Sequence, residues 1–213
     1  MAANEHGVAP GTALGRLRWV LVAVIVLLLG GVALLLLRSG GDTTPAATAS
    51  APAATWAAGE KPAPNFRLTD AYGKPVSMSG LRGRYAIVTF VDPHCTTFCP
   101  RESVVLNDAL RTFPAAERPA VVAVSVDPKT RSLAVLRKEA LRFKWLPQWR
   151  WAAGSATQLG PVWAAYHIQV IPAADDIGHT EAAYIVDATG HERALFLWPF
   201  KAADIVAALE SIS

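Results

Sequence analysis

The two cysteines of this sequence are its best candidates for chemistry. They are Cys95 and Cys99, with three residues between them, and Pro100 directly follows the second. They come after an apolar run that ends at Val91 and before a helix-like pattern, so both sulfurs are expected at a helix N-terminus. The helix dipole there favours the thiolate and lowers a cysteine pKa. Such a pair can close reversibly into a disulfide or bind a soft metal through two thiolates.

A static disulfide is the structural alternative for this pair, although so small a ring would add little stability. If a metal binds, two thiolates leave it under-coordinated, and the five histidines are the first place to seek a third ligand. His179 is the candidate, because it stands in a loop before a strand that begins near Ala182, and in the sheet predicted below that loop faces the cysteines. A solvent-exposed loop histidine with no ligand role remains the alternative on spacing alone. We expect His94, His167 and His191 to be packing or surface residues.

The elements that must position these residues can be predicted from apolar patterns. Residues 85–91 and 120–126 are short runs typical of buried parallel strands, and residues 182–187 and 193–198 flank a turn as an antiparallel hairpin. Helical spacing covers residues 100–113, 130–143, 155–166 and 201–212. This order predicts an α/β, thioredoxin-like fold with a central mixed sheet flanked by helices. Trp145, Trp149 and Trp151 are expected to pack in or near the core, with a partner surface as the alternative.

Composition points to a membrane segment as well as this domain. Of 213 residues, 52% are hydrophobic and 17% charged, and the net charge of +3 is too small for a strongly basic nucleic-acid binder. Residues 19–37 are nineteen residues without a charge, the length of one transmembrane helix. Two arginines, Arg16 and Arg18, precede this span, and one, Arg38, follows it. The larger number of positive charges on the N-terminal side favours a cytoplasmic N-terminus. The predicted protein is anchored in the cell membrane. It has a cytoplasmic segment (1–18), the span (19–37), a flexible linker (38–58) and a domain on the extracytoplasmic, periplasmic side (59–213).

Four stretches carry a resemblance to a known family. They are the Cys-x3-Cys-Pro turn, Ser125–Pro128, the His179 loop with the strand 183–187, and Gly190. With the N-terminal anchor, they resemble the Sco/SenC family, membrane-anchored thioredoxin-like copper proteins of cytochrome c oxidase assembly. The resemblance implies that Cys95, Cys99 and His179 bind copper, as Cu(I) or Cu(II). Zinc would accept the same ligands. We expect Asp175, Asp176 or Glu181 to orient His179.

The resemblance implies a metallochaperone. It would deliver copper to the dinuclear copper site of cytochrome c oxidase, and its partners would be the copper-binding subunit of that oxidase and other copper chaperones or thiol reductases. The alternative is a membrane-anchored thiol-disulfide oxidoreductase that uses Cys95 and Cys99 as its redox-active pair. A peroxiredoxin-like peroxidase shares the fold, but it needs a threonine three residues before its reactive cysteine, where this chain has Asp92.

Overall fold

The computed structural model describes residues 12–39, 50–173 and 177–212. The chain divides into two compact units, Met1–Thr48 and Ala49–Ser213. In the first unit, helix α1 (Thr12–Ser39) is continuous through the predicted span 19–37. Within the described part of the chain, no helix meets both the length and the apolarity that a membrane crossing requires. Residues 40–49 of the predicted linker lie outside the described residues, and its last part contributes a strand to the sheet.

The second unit alternates strands and helices, as the apolar pattern predicts. Its strands are β1 (Ala54–Thr55), β2 (Arg67–Asp70), β3 (Pro75–Ser77), β4 (Ala86–Val91), β5 (Ala120–Ser125), β6 (Trp149–Ala153), β7 (Val170–Ile171), β8 (Gly178–His179), β9 (Ala182–Val186) and β10 (Glu192–Leu197). Its helices are α2 (Phe98–Arg111), α3 (Leu133–Arg142), α4 (Ala156–Ala165) and α5 (Ala202–Glu210).

Eight of these strands form one mixed sheet in the order β1-β10-β9-β4-β5-β6-β2-β3. Strands β4, β5 and β6 are parallel, whereas β9 runs antiparallel to both β4 and β10. The predicted parallel strands and the predicted hairpin are therefore both confirmed. Strands β7 and β8 pair only with each other, as a short antiparallel ribbon.

The centre of the sheet is buried on both faces. Every residue of β4 and β5 is buried, which explains why both strands are nearly continuous apolar runs rather than alternating ones. One face packs against apolar residues of α2 and α5, including Leu106, Leu110 and Ile205, and the other packs against Leu159 and Val162 of α4. The result is the three-layer thioredoxin-like arrangement that the sequence predicts.

Strand β6 is the element that the apolar pattern does not reveal. Its two tryptophans flank Arg150, whose guanidinium donates to the Asp70 carboxylate at 2.5 and 3.1 Å, and this charge masks the apolar run. Trp145 and Trp149 stack with their ring centroids 4.6 Å apart, and Trp151 is 1% exposed. The expectation that these tryptophans pack in the core is confirmed.

The antiparallel pairing of β9 with β4 determines where the candidate site forms. Thr89, near the end of β4, lies opposite Ala183, near the start of β9. The chain that leaves β4 and the chain that enters β9 therefore meet at the same edge of the sheet. The cysteines follow β4, and His179 precedes β9.

Candidate metal site

The cysteines stand at the junction of β4 and α2. We call residues 92–97, which connect these elements, the cysteine turn. The Cys95 N–H donates to the Asp92 carbonyl at 3.2 Å, and Cys99 lies in the first turn of α2. The two cysteines do not form a disulfide, and both are buried, Cys95 to 3% exposure and Cys99 to 1%.

The two thiols differ in acidity because one donates to the other. A hydrogen bond from the Cys99 thiol, supported by the N–H groups of Cys99 and Thr97, lowers the pKa of Cys95 to about 5 despite its burial. The Cys99 N–H lies 3.3 Å from the Cys95 sulfur. Donation to Cys95, together with burial, raises the pKa of Cys99. The pair therefore holds one thiolate, on Cys95, and one thiol, on Cys99, at neutral pH.

His179 is held inward by the residues around it. We call residues 177–181 the histidine segment. This segment includes strand β8, in which His179 pairs with Val170. The carbonyl oxygen of Glu181, the last residue of the segment, accepts a hydrogen bond from the Trp198 N–H at 3.0 Å. The His179 side chain is 2% exposed, so the alternative of a solvent-exposed loop histidine does not describe it. Its Nδ1 lies 3.1 Å from the Thr180 carbonyl oxygen.

The structure brings three potential ligand atoms together at this edge of the sheet. The Cys99 sulfur, a His179 ring nitrogen and a Glu181 carboxylate oxygen all lie within 4.8 Å of one another. Cys95 stands outside this trio and contacts it through Cys99. The arrangement offers thiolate, imidazole and carboxylate groups to one ion, a donor set that suits copper and also zinc.

Buried Asp92 joins the cysteine turn to the histidine segment. One of its carboxylate oxygens accepts from the His94 N–H and the other from the Ile177 N–H, each at 2.9 Å. These hydrogen bonds give Asp92 a structural role. Asp92 occupies the position at which a peroxiredoxin-like enzyme would need threonine.

Arg142, the last residue of α3, holds the cysteine turn from outside. Its Nη2 donates to the carbonyl oxygens of Pro93 at 3.2 Å and of Cys95 at 2.9 Å. Sequence reasoning did not identify Arg142, because its target is a pair of backbone carbonyls forty-seven or more residues away.

Glu102 is a second acidic group beside the trio that the sequence did not single out. It lies on α2 three residues after Cys99, a spacing that places both on one face of a helix. Burial raises the pKa of Glu102 to about 7, although hydrogen bonds from the Thr89 hydroxyl, at 2.5 Å, and from Glu181 oppose this shift.

The remaining predicted residues are accounted for as follows. The His94 ring is half exposed, with Nε2 2.9 Å from the Thr130 hydroxyl, and His191 lies 2.8 Å from the Thr189 hydroxyl. Both are away from the trio, as the sequence predicts. Asp175 and Asp176, two candidates for orienting His179, lie outside the described residues.

The fold and the site together define a thioredoxin-like domain with a Cys-x3-Cys turn after β4. A buried histidine reaches this turn from the segment before β9, the strand that pairs with β4. A family model for SCO1/SenC matches residues 56–213, and the chain belongs to that family. The family prediction is therefore confirmed. No curated protein matches the chain.

Solved structures with the same fold have low sequence identity. Arabidopsis thaliana ScoI with copper bound is 20% identical, with a TM-score of 0.64 over 70% of this chain and 96% of its own. A SCO1/SenC family lipoprotein from Bacillus anthracis str. Ames is 20% identical, with a TM-score of 0.62 over 71% of this chain and 95% of its own. The thioredoxin domain of a thiol-disulfide oxidoreductase from Bacteroides vulgatus is also 20% identical, with a TM-score of 0.56 over 75% of this chain and 99% of its own.

Proposed function

We propose that this protein is a copper chaperone, which binds copper through Cys95, Cys99 and His179 and passes it to the dinuclear copper site of cytochrome c oxidase. One observation carries the proposal: the Cys99 sulfur and a His179 nitrogen lie within 4.8 Å of each other, although eighty residues separate them in the chain. Family membership and the copper bound in the Arabidopsis structure support copper as the ion.

The chemistry of the three side chains suits a copper cargo. Thiolates are the preferred ligands of Cu(I), and imidazole also accommodates Cu(II). Cys95 already holds a thiolate near neutral pH, so a copper ion displaces one thiol proton, from Cys99, rather than two. A site at the edge of the sheet also lets the thiolates of a target approach the ion and exchange with its ligands.

The same proposal includes attachment to the cell membrane. Residues 19–37 would span it once, with the N-terminus in the cytoplasm and the copper domain on the periplasmic side. The uninterrupted apolar sequence and the continuous helix α1 support a single span. The Bacillus anthracis relative is a lipoprotein, which supports attachment to the membrane but not a particular topology. A copper domain outside the cytoplasm would meet the copper-binding subunit of the oxidase on that side.

Anaerobic copper titration of the full chain in detergent tests the binding step. We expect one copper per chain, and we expect Cys95→Ser, Cys99→Ser and His179→Ala each to weaken binding. His191→Ala is the matched control, because it removes a histidine that lies away from the trio. Copper binding by the wild type that is equal in all three ligand variants would refute the ligand set.

A second function, thiol-disulfide oxidoreductase, is favoured by the low pKa of Cys95, about 5. The Cys95 thiolate would attack a target disulfide and release one target thiolate. The Cys99 thiol would then lose its proton and attack the mixed disulfide, leaving a Cys95–Cys99 disulfide and a target reduced by two electrons. Cys99→Ser should trap the mixed disulfide with the target. If neither single-cysteine variant traps a partner, this function is excluded.

A further inference from the structure

Glu181 occupies a position that the proposed three-ligand set leaves unexplained. Its carboxylate oxygen Oε1 is 3.3 Å from Nε2 of His179, and its side chain is 16% exposed. The residue follows His179 by two positions, between strands β8 and β9, and this contact shows that the two side chains face each other. The question is whether this carboxylate orients the histidine or binds the metal beside it.

The hydrogen bond at the other ring nitrogen answers this question. A carbonyl oxygen can only accept, so Nδ1 of His179, 3.1 Å from the Thr180 carbonyl, must carry the proton of that bond. The Thr180 carbonyl is therefore the group that orients the ring. Nε2 is left as the metal-binding atom, and it is the atom that Glu181 approaches. Once a metal occupies Nε2, that nitrogen carries no hydrogen, and Glu181 cannot orient the ring through it.

The spacing of the two atoms is that of two ligands on one ion. Donors that each lie about 2.0 Å from a tetrahedral ion are about 3.3 Å from each other. In a neutral histidine, Nε2 and the carboxylate oxygen both present lone pairs, so a shared cation stabilises their approach. The Cys99 sulfur also lies within 4.8 Å of a His179 ring nitrogen and of a Glu181 carboxylate oxygen.

The Glu181 carboxylate is also held in place rather than flexible. The Trp198 N–H donates to its backbone carbonyl at 3.0 Å. Its side chain is 16% exposed, and its second carboxylate oxygen is buried. A largely buried carboxylate on a fixed backbone loses little conformational entropy when it binds an ion.

We propose, building on the copper site, that Glu181 is a fourth metal ligand and that the site is Cys95, Cys99, His179 and Glu181. A carboxylate is a hard ligand that favours divalent ions over Cu(I). The site therefore holds Cu(II) more tightly than the two cysteines and the histidine alone would. Glu181 also completes four-coordination for Zn(II) or Co(II).

The test compares metal binding by the full chain in detergent, wild type against Glu181→Gln, with Cu(I), Cu(II) and Co(II) as the probes. We expect Glu181→Gln to raise the Kd for Cu(II) at least about tenfold. The Kd for Cu(I), which the thiolates dominate, should change by less than about threefold. The Co(II) visible absorption, which reports the ligands and their geometry, should shift.

Glu192→Gln is the matched control for removing a buried carboxylate. Glu192 is 1% exposed, pairs with Lys61 at 2.8 Å and lies at the far end of β10 from the site. We expect it to lower thermal stability and to leave metal binding and the Co(II) spectrum unchanged. If Glu181→Gln fails to fold, Glu181→Asp takes its place, because it keeps a carboxylate on a shorter arm and should alter the spectrum while retaining charge.

The possible outcomes separate this inference from the proposed function. If Glu181→Gln leaves the Co(II) spectrum unchanged, Glu181 is not a ligand and the inference is overturned, even if the Kd rises. An equal loss of affinity for Cu(I) and Cu(II) would also overturn it. If the wild type binds no copper, or binds it equally without Cys99 and His179, then the proposed function itself fails.

Discussion

The cysteine turn and the histidine segment meet at one edge of the sheet, but different forces hold them there. The cysteine turn continues directly from a fully buried central strand into a fourteen-residue helix. The histidine segment depends on a two-residue ribbon, on the Asp92 carboxylate and on the start of β9. The comparison teaches that local sequence can build half of a metal site, whereas the other half depends on contacts between distant parts of the chain.

Removing a ligand from each region tests how much each region contributes to copper affinity. These substitutions should have the largest effect on the Kd for Cu(I). Cys99→Ser should raise the Kd for Cu(I) by more than about a hundredfold, beyond the 10–100-fold typical of residues behind the ligands. His179→Ala should raise it less, because two thiolates still suit Cu(I). Competition titrations with a Cu(I) chelator measure both values. Equal losses would show that the two regions contribute alike.

Breaking the link between the regions should have the next largest effect. Asp92→Ala leaves the Ile177 and His94 N–H groups without their acceptor, and the loss of these part-buried hydrogen bonds costs about 0.5–1.5 kcal/mol of unfolding free energy for each bond. It should also raise the copper Kd about tenfold, since the histidine segment loses its tie to the cysteine turn. Urea unfolding and copper titration measure the two effects.

Asp127→Ala is the control for Asp92→Ala. Asp127 is also buried and follows β5 as Asp92 follows β4, and it accepts from the N–H groups of Lys129 and Thr130. Its loss should lower stability by a similar amount without weakening copper. A fall in copper affinity of the same size in both variants would show that general loosening, rather than the link, is responsible.

The acidity of Cys95 tests the cysteine turn by itself. Since the pKa of Cys95 is lowered to about 5, its thiolate absorbance in the reduced, metal-free protein should persist at neutral pH and vanish as the pH falls through about 5. Cys99→Ala removes the largest cause of this shift and should raise the pKa. Thr97→Val removes only a 3.8 Å hydroxyl contact and should raise it less. The reverse order would mean that Cys99 is not the main donor.

The smallest expected effect concerns the outer support of the cysteine turn. Arg142→Ala removes donors to two carbonyl oxygens and should lower the unfolding free energy by about 1–2 kcal/mol. Arg111→Ala, which removes only an exposed pair with Asp108, should cost less than about 1 kcal/mol. Thermal unfolding of both variants compares them. Equal losses would show that Arg142 does not hold the turn.

Sequence reasoning succeeded where neighbours along the chain determine the structure. The strand before Cys95 and the helix after it appear as an apolar run and a helical period, and the hairpin near Gly190 appears as two runs around a turn. It did not reveal β6, where Arg150 breaks the apolar run to pair with Asp70 from a strand eighty residues earlier. The choice of His179 depended on the fold to bring its loop to the cysteines.

The residues that link the two halves of the site were the hardest to predict. Asp92 and Arg142 bind backbone groups, which every residue possesses, so their partners have no signature in the sequence. Glu102 had a usable signal, because it is three positions after Cys99 on a helix. Glu181 had one too, at two positions after His179 and just before a predicted strand, and it entered the sequence analysis only as a candidate for orienting the ring.

The pairing of β9 with β4 constrains how this site can change in length during evolution. Ala183 is held opposite Thr89, so the distance from His179 to the sheet is set by three intervening residues. One inserted residue there would advance the chain by about 3.4 Å and turn His179 to the opposite side. Insertions and deletions between His179 and β9 should therefore be eliminated by selection.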